Sequence, residues 1–236
     1  MAEDALMNGL FFTGTDTGVG KTFVACAIAR ILRRQGHEVA VCKPVATGAV
    51  RQNGRWINED TLALAEAAGL EKFPERVTPW TFLDPVAPAV AARRAGVDLR
   101  LSDIGKAVNN LRDSNKAMLI EGVGGLLCPL TERETVADLV AMLEMRLVVV
   151  ARRSLGTLNH TLLTLEVARS RSLQVAGVIV NETTPPHSLA EETNLIELEK
   201  RIQVPLLATV PYRSGKESAA PPCLEAIDWW KLCQAG

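Results

Sequence analysis

LFFTGTDTGVGKTFVACAIARILRR, residues 10–34, passes from a short apolar run through a loop of three glycines, a lysine and a threonine into a helical pattern. Phe11, Phe12 and Thr13 suit a buried strand, while Val24, Ala27, Ile28, Ile31 and Leu32 recur at helical spacing. Gly14, Gly18 and Gly20 let the backbone curl until several N–H groups face one centre, at the positive end of the following helix. Lys21 then reaches the outer phosphates of a nucleotide as a point charge, and the Thr22 hydroxyl joins the shell of a Mg²⁺ ion. Five residues rather than four separate Gly14 from Gly20, so the spacing departs from the common form. The stretch still reads as a P-loop, with Gly18, Val19, Gly20, Lys21, Thr22 and Phe23 against the nucleotide.

The rest of the chain alternates in the same way. At 236 residues its length fits one α/β domain over 1–236 with a sizeable core. A net charge of −1 and a pI near 6.3 offer no electrostatic reason to expect nucleic acid or an anionic membrane. The amino-terminal MAEDALMNGL lacks a basic segment followed by a long apolar core, and no apolar run approaches ~18 residues, so the expected location is the cytoplasm. Cys26, Cys42, Cys128, Cys223 and Cys233 are odd in number and far apart, which fits reduced structural thiols.

Gly36 ends the first helix, and Val39 to Cys42 form a second strand that runs into Lys43 and Pro44, expected close to the P-loop strand. KPVATGAVRQNGRWINED reads as a loop leading to a helix from about Asp60 to Ala68, closed by Gly69. Four prolines break up the next region before a short helix, Ala89 to Ala95. Ser102 is expected to cap a helix carrying Ile104, Val108 and Leu111, and Ala117 to Ile120 make a strand ending in EGVGG. Helix at 135–143, strand at 147–151, helix at 158–170, strand at 175–180, helix at 189–202 and strand at 206–210 follow, with a tail helix at 223–232. The pattern predicts a P-loop NTPase-like α/β fold, a mostly parallel sheet with helices on both faces.

If Lys21 and Thr22 hold a nucleotide and its metal, neighbouring strand ends must supply carboxylates, because Mg²⁺ prefers oxygen ligands and keeps several waters. Glu121, at the expected end of its strand before open glycines, fits that place. On pattern alone Asp60 is an acid in the first turn of a helix, where the macrodipole favours it. Lys43 is either a solvated strand-end lysine or a second cation near the terminal phosphate.

GTDTGVGKT, KPVATG, NED, EGVGG, LGTLNHTLLT and VNETTPP occur in the order and approximate spacing seen in dethiobiotin synthetases, and the match runs from Gly14 to roughly Tyr212. The chain resembles that family. The resemblance implies a homodimeric, ATP- and Mg²⁺-dependent ligase of biotin biosynthesis, which converts 7,8-diaminononanoate and CO₂ into dethiobiotin with release of ADP and phosphate. It implies Lys43 as the catalytic lysine beside Lys21, Thr17 near a carbamate, and Thr47 against the substrate. It turns Asp60 into a metal ligand with Thr22 and Glu121, and sets Gly122, Val123 and Gly124 at the nucleotide. Asn181, Glu182, Val210, Pro211 and Tyr212 fall where the family holds adenine, although Glu182 departs from the aspartate often found there. Leu155, Gly156, Thr157, Leu158 and Asn159 precede a helix whose amides bind the substrate carboxylate in the opposite subunit, so the active site spans the dimer interface. Arg152 and Arg153 are either further partners for that anion or solvated. His37, His160 and His187 read as free of metal.

Two rivals use a similar loop. A glutamine-dependent ligase of cobyrinic acid type generally carries a glutaminase domain, and none is expected after Val210. A partition ATPase has a lysine near the start of the loop, where Thr15 and Asp16 stand here.

Overall fold

The computed structural model describes residues 8–52, 54–111, 113, 115–185, 188–214 and 220–234. The amino-terminal segment before Asn8, Pro186 of the VNETTPP motif, and His187 lie outside them. The strands are β1 (Gly9–Gly14), β2 (Glu38–Cys42), β3 (Val45–Ala46), β4 (Val50–Gln52), β5 (Arg55–Ile57), β6 (Trp80–Thr81), β7 (Lys116–Gly125), β8 (Arg146–Arg152), β9 (Val175–Asn181) and β10 (Leu206–Val210). The helices are α1 (Lys21–Arg34), α2 (Glu59–Ala68), α3 (Pro88–Arg94), α4 (Leu101–Asn109), α5 (Val136–Leu143), α6 (Thr157–Ser170), α7 (Leu189–Glu199), α8 (Pro222–Glu225) and α9 (Trp229–Gln234).

Six strands pair in the order β10-β9-β8-β1-β7-β2, and every pairing is parallel. A parallel strand at the centre of such a sheet is covered on both faces, which is why β1 is apolar without alternation. Leu10 and Phe12 enter the core shared with α1, whereas Phe11 enters the core beneath α4 and α5. From β1 the chain crosses to β2 on one side and later returns to β8 on the other. The order therefore switches at β1, and a crevice opens beyond the carboxyl ends of β1 and its neighbours, the usual place for a ligand.

The structure corrects several expectations. β2 does not adjoin β1, because β7 lies between them. β7 does not stop at Ile120: it runs through the glycines to Gly125, pairing Phe12 with Glu121 and Gly14 with Gly125, so Glu121 sits inside a strand. The segment read as a loop contains an antiparallel hairpin, β4–β5. Ser102 is the second residue of α4, whose N-cap is Arg100. α7 ends at Glu199, earlier than expected. The tail forms two short helices, interrupted where the Asp228 carboxylate accepts from the Lys231 N–H at 2.9 Å.

All five cysteines are free, and burial pushes the thiols of Cys26, Cys42 and Cys233 up to about 12, which leaves them unreactive. His37 stacks on Trp230 with ring centroids 4.1 Å apart. Among the described residues no helix is long and apolar enough to cross a membrane.

Trp229 anchors the tail. It is fully buried in the core shared with α1 and β1, and its indole donates to the Leu224 carbonyl at 2.7 Å. Trp229→Ala is expected to lower the unfolding free energy by roughly 3–5 kcal/mol, the cost of emptying an aromatic site in a packed core. Denaturant titration measures this, and a loss below about 1 kcal/mol would show that the tail is not part of the core.

Candidate active site

The P-loop leaves β1 at Gly14 and enters α1 at Lys21. Thr15 N–H donates to the Val150 carbonyl of β8 at 3.0 Å, tying the start of the loop to the neighbouring strand. Gly18 and Gly20 have φ of 69° and 91°, left-handed values that an L side chain adopts only with strain. Gly20 is the helix N-cap and supplies no side-chain oxygen, so no side chain caps the first turn of α1. Its N–H groups stay open to an anion.

A cavity of about 420 Å³ lies against this loop. Thr17, Gly18, Gly20, Lys21, Thr22, Phe23, Lys43, Thr47, Asp60, Glu121, Val123 and Gly124 line it. Most of the predicted phosphate, metal and substrate residues thus share one space. A larger concavity, about 740 Å³, lies between α3, α4 and residues 131–134 and contains none of them.

At the cavity wall, Lys43 Nζ donates to Glu121 Oε1 at 2.8 Å and also to Asp60 Oδ2. Glu121 Oε1 accepts from the Thr22 hydroxyl at 2.8 Å as well. Lys43 is 6% exposed and Glu121 1%, whereas the Asp60 side chain is 44% exposed at the rim. Burial works against the charge on Lys43, but Glu121 and Asp60 outweigh it and hold the ammonium above the usual lysine range. Desolvation likewise opposes ionisation of Asp60, yet the adjacent Lys43 carries that carboxyl below the ordinary range. Lys21 goes the other way: its own burial lowers it despite the pull of Glu121. In this structure Lys21 Nζ turns back to the Asp16 carbonyl at 3.2 Å.

Glu121 Oε2 is buried and makes no hydrogen bond, and Thr22 and Asp60 line the same cavity. Among the described residues no cluster of three or more His, Cys, Asp or Glu side chains could hold an ion. Two carboxylates and a hydroxyl fit Mg²⁺, which takes few protein ligands beside water and phosphate, and do not fit a zinc-type centre.

Other predicted residues lie off this cavity. Gly122 faces the core, where an added Cβ would stand 2.8 Å from the Phe11 ring, and the Val19 side chain is buried. Asn181 ends β9 beside Val210 of β10, and its amide donates to the Val19 carbonyl at 3.0 Å. Glu182 is engaged on both oxygens, with Arg153 on one and the Tyr212 N–H at 3.0 Å on the other. Leu155 and Gly156 form the turn into α6, whereas Thr157, Leu158 and Asn159, expected to precede the helix, are its first residues; none of the five lines the cavity of their own chain. Leu155 is exposed, and the first turn of α6, with Gly156 as N-cap, has no side-chain cap.

Four contacts, made by three residues, were not read from the sequence. Arg152 donates to the Thr17 carbonyl at 3.1 Å, and Arg153 also donates to the Glu191 carbonyl at 2.7 Å. Asn58 caps α2, accepting from Thr61 N–H at 3.1 Å, and donates to the Thr47 carbonyl at 3.3 Å. Only Asn58 carried a local signal, an asparagine immediately before a helix that opens with two acids.

Known proteins resemble this chain along most of its length. A family model described as an AAA domain matches residues 8–219. The chain is 43% identical over 206 residues to the ATP-dependent dethiobiotin synthetase BioD of Anaeromyxobacter dehalogenans (strain 2CP-C), covering 87% of this chain and 91% of that one. Against the ATP-dependent dethiobiotin synthetase BioD of Aromatoleum aromaticum it is 40% identical over 209 residues, or 89% and 92% of the two chains. The solved structure of the septum site-determining protein MinD of Pyrococcus horikoshii OT3, complexed with Mg-ADP, superposes with a TM-score of 0.52 at 16% identity, covering 95% and 93%. That likeness concerns the fold alone. The identity to BioD proteins extends over most of both chains, and on that ground this chain belongs to the ATP-dependent dethiobiotin synthetases.

Proposed function

We propose that the chain is itself an ATP-dependent dethiobiotin synthetase, acting on 7,8-diaminononanoate and CO₂ with Mg²⁺ in a homodimer. The observation that carries the assignment is Lys43, buried between Glu121 and Asp60 in the cavity that the phosphate loop lines. Such a site is suited to bringing two anions together.

In the first step one substrate amine attacks the carbon of CO₂ and loses a proton, forming a carbamate. A carbamate oxygen then attacks the γ-phosphorus, the bond to the β–γ bridging oxygen breaks, and ADP leaves. The second amine attacks the carbonyl carbon and loses a proton. Phosphate departs with an oxygen that came from CO₂, and the ring closes as a cyclic urea.

The second step is electrostatically demanding. Two unit negative charges about 4 Å apart repel by about 4 kcal/mol at an effective dielectric near 20. Lys21 and Lys43 offset that repulsion, and donors aimed at developing charge are usually the largest catalytic contribution. Thr17 is assigned to the carbamate, Thr47 to the diamine, and Gly18 to Phe23 with Val123 and Gly124 to the phosphates. Thr22, Asp60 and Glu121 would hold Mg²⁺, which when bound neutralises charge on the β- and γ-phosphates. Asn181 and the 210–212 segment are assigned to the base. Glu182, whose oxygens are already engaged, shapes that pocket. The uncapped first turn of α6 is assigned to the carboxylate of a diamine bound in the partner's site.

Three outcomes test the reading. Turnover should incorporate labelled carbon from bicarbonate into a cyclic urea, and Lys43→Ala should slow it by roughly 10²-fold or more while ATP still binds. A stable phosphorylated acceptor in place of the urea would mean a kinase. Asp60→Ala and Glu121→Ala should each raise the Mg²⁺ concentration needed for half-maximal rate, and an unchanged titration removes that residue from the metal site. Lys43→Ala and Asn159→Ala proteins, each inactive alone, should regain activity when mixed under conditions where subunits exchange. Silent mixed dimers would place each site within one subunit.

A further inference from the structure

The register of β8 with β9 sets Arg152 directly beside Asn181, at the carboxyl ends of strands on one flank of β1. Both side chains reach the phosphate loop. Arg152 Nη2 donates to the Thr17 carbonyl at 3.1 Å, and Asn181 Nδ2 donates to the Val19 carbonyl at 3.0 Å. Alternate carbonyls of one loop are thus drawn to the same side. In a planar trans peptide the N–H points opposite to its C=O, so the N–H groups of Gly18 and Gly20 are directed away from β8 and β9. Gly18 and Gly20 line the cavity on that other side.

The fit on the near side is close. A Cβ on Gly20 would lie 2.1 Å from Asn181 Nδ2, and one on Gly18 would lie 3.2 Å from Arg152 Nη2. The two glycines therefore serve both their positive φ values and the approach of these donors. Without these donors the Thr17 and Val19 carbonyls lose the hydrogen bonds that fix their direction.

We propose that Arg152 is a positioning residue of this loop, acting with Asn181 as a pair of struts that hold the Gly18 and Gly20 N–H groups toward the nucleotide's phosphates. The inference rests on the nucleotide reading given above, and the probes are chosen to separate the two. ATP tests loop and base pocket together, while inorganic tripolyphosphate tests the loop without a base. Arg152→Ala is expected to weaken both ligands by the same factor, roughly tenfold, the scale of one charge-assisted hydrogen bond. The melting temperature of the unliganded protein should change by only a few degrees. Because the strut is a short-range contact, the factor should persist at about 1 M salt, where the screening length is about 3 Å. Arg152→Lys, which retains a donor, should recover most of the affinity.

Calorimetric titration of wild type and variants decides the matter. Equal affinities for wild type and Arg152→Ala overturn the strut alone. So does a loss confined to ATP, which would place Arg152 at the base, or a loss that vanishes in salt, which would make it a distant charge. If Arg152→Ala does not fold, Arg152→Met keeps the apolar stem without donors and is held to the same outcomes. A wild-type protein that binds neither ligand overturns the nucleotide reading, and the strut with it.

Discussion

A lysine ammonium buried against two carboxylates organises the cavity beside the phosphate loop. Lys43 arrives at the end of β2, Glu121 inside β7 and Asp60 in the first turn of α2, so one cluster ties three elements together. Leaving a charge unpaired at that depth costs several kcal/mol, whereas the paired cluster is close to neutral in its effect on stability. The cluster is therefore weak evidence of a stability device. What it does provide is a cation fixed in one place, with Thr22 sharing Glu121 Oε1 and so bringing the start of α1 to the same point.

The two cavity lysines differ in a way that suits different tasks. Lys43 is held charged by its acids, while burial lowers Lys21, whose ammonium contacts a loop carbonyl. A fixed cation beside acids and a cation on a flexible stem within an anion-binding loop are complementary. The first can wait for a carbamate, and the second can follow a phosphate. Around them the backbone is set by donors on the strand ends, so the site depends as much on the β8 and β9 termini as on the loop that announces it.

Much of this was legible in the chain. The strand, loop and helix at residues 9–34 were plain because apolar runs, glycines and a GKT triplet agree with one another at every level. Glu121 lines one cavity with Thr22, Lys43 and Asp60, but it lies inside a strand rather than at a strand end. EGVGG looks like a turn, but glycines let β7 lie close against β1, and pairing continues to Gly125. The β4–β5 hairpin is not legible because its strands are three residues each and Val50, Arg51, Gln52 and Trp56 are exposed, so alternation gives no signal beyond the Asn53-Gly54 pair in the sequence. Asp60 was ambiguous for a physical reason: a first-turn acid is favoured at any helix start, and only the fold shows that Lys43 faces it. The contacts of Arg152 and Arg153 join residues far apart in sequence, and no local pattern encodes them.

The account stands on a carbamate oxygen attacking the γ-phosphate beside Lys43 and Lys21. Turnover in ¹⁸O-labelled CO₂ tests this directly, with phosphate and urea analysed by mass spectrometry. One labelled oxygen should leave in the phosphate and the other should remain in the cyclic urea, in equal amounts. Unlabelled phosphate formed alongside labelled urea would contradict the account, because the phosphoryl group would then have passed to water or another acceptor.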